Sequence, residues 1–69
     1  MSKDTCHVYG PEGVRDAPSF TSAMELAQAL AARWRGSSDG VWQIRHAGVP
    51  VARVRRNVDT GIVEVKRLV

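Results

Sequence analysis

Apolar positions along the chain follow two different periods, and the change comes near Gly40. Before it, Ala23, Leu26, Ala27, Leu30 and Trp34 recur at three- and four-residue intervals, the spacing of one helical face. Ser22 and Glu25 form an S-x-x-E capping box at the head of this stripe, and alanine, leucine, methionine, glutamine and glutamate fill the remaining positions. Arg33 and Arg35 fall in the last turn, where cations suit the negative end of the helix dipole, and Gly36 is expected to stop the helix.

After Gly40 the period becomes two. The pattern predicts strands over 41–45, 49–56 and 62–68. A three-residue loop His46-Ala47-Gly48, with glycine last, sets Trp42 across from Ala52 and Ile44 across from Pro50. A four-residue loop Val58-Asp59-Thr60-Gly61 sets Val54 against Val65 and Arg55 against Glu64. Turn chemistry and side-chain parity agree on the same faces. A short β-prone run at 5–9 precedes the helix, and GPEG at 10–13 ends it. Residues 10–21 read as irregular connection, and residues 1–4 are expected to be flexible. The expected fold is α+β in the order β-α-β-β-β: a single domain over 1–69 with one helix packed on a mainly antiparallel sheet. Trp42, Ile44, Ala52, Val54, Val63 and Val65 should face the helix. The first strand must join by a crossover to a place in the sheet that the pattern does not specify.

The same parity sends Val41, Gln43, Arg45, Val49, Val51, Arg53, Arg55, Ile62, Glu64, Lys66 and Leu68 to the opposite face. A purely solvated face would carry threonine, serine, lysine and glutamate. Arginine stems shielding a few exposed valines would account for this one. A docking surface would account for it too, because protein interfaces are enriched in arginine around an apolar centre. The partner-binding residues expected on this ground are Arg45, Val49, Val51, Arg53, Arg55, Ile62, Lys66 and Leu68. An open sheet edge at Val69 would also make pairing with a second copy cheap, so a homodimer is a further expectation.

At 69 residues, 43% hydrophobic and 25% charged, the composition is that of a globular domain near the lower size limit for one core. The net charge of +3 favours acidic partners without choosing nucleic acid over protein. Sheet-based readers of single strands need exposed aromatic rings, and only Tyr9 or His7 offers one here. Duplex readers need a basic helix, and this helix is alanine-rich. Phosphate contacts through Arg53, Arg55, Arg56, Lys66 and Arg67 make a nucleic-acid-binding regulator the alternative reading. One cysteine, Cys6, allows no intramolecular disulfide, and no stretch has the length and apolarity of a leader or a membrane span. A cytoplasmic location without membrane contact is expected.

No catalytic pattern emerges. The tripeptide Asp59-Thr60-Gly61 resembles that of aspartic proteases but sits where a hairpin needs its turn. Cys6 and His7 are adjacent strand residues pointing to opposite faces, so they do not share a metal ion or make a nucleophile pair. Cys6 is expected to pack as a small core side chain. Trp34 and Trp42 fit the helix–sheet contact. No metal or cofactor site is expected. In size and class, though in no motif, the chain resembles small accessory proteins of bacteria and their phages, inhibitors among them. With no catalytic pattern and this basic, apolar sheet face, the expected function is a non-enzymatic module that docks on a larger host protein through that face or the sheet edge.

Overall fold

The computed structural model describes residues 5–68, and the expectation for residues 1–4 lies outside them. Strand β1 (Cys6–Gly10) turns back into β2 (Gly13–Ala17), which leads into helix α1 (Phe20–Arg33). Strands β3 (Gly40–His46), β4 (Val49–Arg56) and β5 (Val63–Arg67) follow as a meander. All pairings are antiparallel, in the sheet order β2-β1-β3-β4-β5, and the helix packs on one face. The expected class and the one-helix-on-sheet architecture are present.

One strand was not foreseen. Residues 13–17, expected to lie in an irregular connection, pair with β1 from Gly10↔Gly13 to Cys6↔Ala17. Pro11 and Glu12 make the turn, and Gly13 takes a φ of 124°, open to glycine at no steric cost. The crossover of α1 from β2 to β3 therefore leaves β1 inside the sheet, between β2 and β3, with β2 at the edge.

The helix begins earlier than the capping box predicts. Ser19, in extended conformation, is the N-cap, and its hydroxyl accepts a hydrogen bond from the Ser22 amide at 3.1 Å. Its C-terminus also differs: the helix ends at Arg33, and Trp34 caps it in extended conformation. Gly36 contributes space instead of a left-handed turn, since a Cβ there would lie 2.0 Å from the Trp34 ring.

Between helix and sheet lie Cys6, Val8, Ala17, Trp42, Ile44, Ala52 and Val54, against Ala23, Ala27 and Ala31. Three alanines four residues apart present a flat stripe, so the helix comes close enough to enclose a full indole. The Trp42 ring meets Trp34 edge-on at 5.7 Å between centroids. Cys6 is buried among these side chains, as expected. Val63 is half-buried, but Val65 is 44% exposed although it shares this face, because α1 lies chiefly over β3 and β4.

The β4–β5 hairpin has the predicted loop and register, with Val54↔Val65 and Arg55↔Glu64. Asn57 organises its turn: Oδ1 accepts from the amides of Asp59 and Thr60, and the carbonyl accepts from Gly61. Asp59-Thr60-Gly61 is thus turn structure. In the β3–β4 hairpin the loop is only Ala47-Gly48, both at positive φ (52° and 79°), and His46 pairs with Val49. The extra residue lies in the strand: a bulge shifts the register between Ile44 and Arg45, giving Arg45↔Pro50, Ile44↔Ala52 and Trp42↔Val54. The expected pairs Trp42–Ala52 and Ile44–Pro50 are corrected accordingly, while the face of each core residue is unchanged.

Candidate functional site

The sheet face away from the helix is built from alternate residues of all five strands. Register aligns Val14, Tyr9, Gln43, Arg53 and Lys66 as one cross-strand row. A second row holds Asp16, His7, Arg45 and Pro50, and a third holds Val41, Arg55 and Glu64. Tyr9, Val14 and Val41 are exposed on it.

The charges on this face are unequally engaged. Arg45 stacks its guanidinium over the Tyr9 ring at 4.8 Å and donates from Nε to Gln43 Oε1 at 2.6 Å. His7 Nδ1 lies 2.6 Å from Asp16 Oδ1. Arg55 donates through Nε and Nη2 to Asp39 Oδ2, whose other oxygen accepts the Val58 amide at 2.8 Å. The Val58 amide first, and Arg55 second, hold the Asp39 carboxyl below its usual range; the Asp39 hydrogen bond in turn raises Arg55. Arg53 and Lys66, cross-strand neighbours, form no side-chain hydrogen bond or ion pair with other described residues. They are the cations on this face left available to a partner.

Of the eight residues expected to bind a partner, Arg45, Arg53, Arg55 and Lys66 share this face. Leu68 (40% exposed) and Ile62 (57%) flank β5 and keep the parity of Glu64 and Lys66, at the margin of the face instead of its centre. Val49 (54% exposed), expected on this face, is corrected: at the mouth of the β3–β4 hairpin it pairs with His46, the cross-strand neighbour of Cys6, and so takes the helix-side parity. Val51 is a correction: the bulge turns its half-buried side chain to the helix side, where it packs on the core near Cys6 and Phe20. The signal was available in Pro50, since an interior strand accommodates proline at a bulge. Tyr9 and Val14 were missing from the expected set, the latter because β2 was not recognised.

Two of the proposed phosphate-binding arginines are used elsewhere. Arg56 Nη1 donates to the carbonyls of Ala31 (3.0 Å) and Ala32 (2.7 Å), closing the C-terminus of α1. Arg67 lies on the helix side, 5.2 Å over the Phe20 ring. On that side Cys6 has His46, not His7, as cross-strand neighbour, but the thiol-bearing residue is 1% exposed. Among the described residues no group of three histidine, cysteine or carboxylate side chains is placed to hold a metal ion. Nor is any helix among them long and apolar enough to cross a membrane.

No known protein family matches the chain, and neither a curated protein nor a solved structure does.

Proposed function

We propose that this chain is a small non-enzymatic protein-binding module that docks on an acidic surface of a larger protein through the sheet face opposite the helix. The observation that carries the reading is the pairing of Arg53 with Lys66, unneutralised, beside the Arg45–Tyr9 stack and the exposed Val14 and Val41. Arginine and aromatic side chains around an apolar centre are the residues enriched at protein interfaces. Glu64 and Asp16 on the same face favour a protein partner over a polyphosphate, which they would repel. The setting we assign is that of a cytoplasmic bacterial accessory protein, from a phage or mobile element, inhibiting the host protein it covers.

One observation favours a second reading, single-stranded nucleic acid bound on the same face: Tyr9 is an exposed ring within a basic row. Arg53→Glu and Val41→Asp separate the two. Under the docking reading each variant keeps its circular dichroism spectrum and loses one and the same co-purifying protein from source cells. Unchanged co-purification in both variants refutes it. A mobility shift with a single-stranded oligonucleotide, falling steeply with salt, transfers the face to the second reading.

A further inference from the structure

The free edge of the sheet at β5 has a sequence that is complementary to itself when reversed. Leu68 donates its amide to the Val51 carbonyl, and the Ile62 carbonyl accepts from Asn57, so the backbone groups of the even-numbered residues here point toward β4. By strand alternation, the amides and carbonyls of Val63, Val65 and Arg67 point the other way, along an edge that no described strand covers. From this we infer that the chain forms a two-fold symmetric dimer by antiparallel pairing of β5 with β5 of a second copy, centred on Val65.

The register follows from charge. Centred on Val65, Glu64 of one copy stands opposite Lys66 of the other, twice, on the outer face. Ile62 stands opposite Leu68 on either side of those ion pairs, covering two exposed apolar residues. On the helix face Val65 meets its own symmetry mate, and the exposed valine that α1 leaves open is covered. Glu64 and Lys66 fall at non-hydrogen-bonded positions, where facing side chains come closest. Val65 hydrogen-bonds to its symmetry mate, and Val63 to Arg67 of the second copy, through the outward backbone groups. Centring one residue earlier or later puts Glu64 against Glu64 or Lys66 against Lys66. The opposite edge lacks this property: β2 centred on Arg15 places Arg15 against itself. The inference needs no outside partner and does not rest on the docking reading: it engages Lys66 at the edge and leaves Arg53 and Val41, the docking readout, on the open face.

Charge exchange tests it, with sedimentation equilibrium over a concentration series as the measurement. The wild type is expected to move from the 7.6 kDa chain to twice that mass as concentration rises. Lys66→Glu and Glu64→Lys should each weaken the dimer at least about tenfold, because two attractive pairs become repulsive. An equimolar mixture of the two variants should dimerise, and so should the double variant carrying both changes. Val65→Pro should abolish the dimer while keeping the fold, since the amide it removes points away from β4. A wild type that stays monomeric at every concentration overturns the inference. So does a dimer that survives both single charge changes, or a variant mixture that stays monomeric.

Discussion

Arg56 reaches from β4 to the last turn of α1, and replacing it with alanine tests whether that bridge holds the helix to the sheet. One nitrogen donates to two carbonyls of the helix end, at 3.0 and 2.7 Å. The Ala31 carbonyl has a second donor in the Trp34 amide, so the bond to Ala32 is the harder one to replace. A hydrogen bond from a charged donor contributes about 1.5–3 kcal/mol, and a cation at a helix C-terminus about 0.3–1 kcal/mol on its own. The residue is half-exposed and water can take the vacated carbonyls, which lowers the expected total to about 1–2 kcal/mol. In a domain of this size that corresponds to a fall in Tm of about 4–16 °C. Thermal melts followed by far-ultraviolet circular dichroism measure it, with Arg53→Ala on the same strand as the internal control. Arg53 is exposed without a side-chain partner among the described residues, so its loss should shift stability by no more than about 0.5 kcal/mol. Equal melting temperatures for the two alanine variants would refute the bridging role.

Three further outcomes follow from the packing and the turns. Gly10→Ala would place a Cβ 2.4 Å from Trp42 Cδ1, and because that indole is enclosed the variant should lose about 2–3 kcal/mol in urea unfolding; a loss below about 0.5 kcal/mol would contradict the packing. Ala47 holds a φ of 52° in a loop that suits asparagine, so Ala47→Asn should raise stability by about 0.5–1 kcal/mol, read as a higher denaturation midpoint. The Asp39 carboxyl titrates below its unfolded value. Its anchoring of Val58 is therefore complete above the ordinary carboxylate range and is lost as pH falls through the depressed folded value. Amide exchange at Val58 should accelerate in that acid window in the wild type. Asp39→Asn should lack the step, and identical acid profiles would exclude this anchor.

The helix, the three C-terminal strands and both faces of the sheet were legible because their apolar spacing is long and regular. The β4–β5 register was legible because a four-residue glycine-ended loop and the side-chain parity agree. Strand β2 was hidden by its edge position: only Ala17 of its five residues is buried, which leaves no alternation to detect. The helix start was displaced because Ser22 and Glu25 satisfy a capping pattern that Ser19, behind Pro18, fills in the fold. The candidate face was readable in Arg45, Arg53, Arg55 and Lys66. Val51 was misplaced because a bulge inverts parity from within a strand, and Arg56 because a guanidinium reaches past its own sheet position.

A protein that meets the sheet face away from the helix should be within reach of a crosslinker placed at the centre of that face. Photo-crosslinking in source cells tests this most directly, with a light-activated residue at the position of Gln43, in the middle of that face, or of Gln28, exposed on the helix. The docking account predicts a single protein adduct from position 43 and none from position 28. Equal adducts from both positions, or adducts to nucleic acid alone, would contradict it.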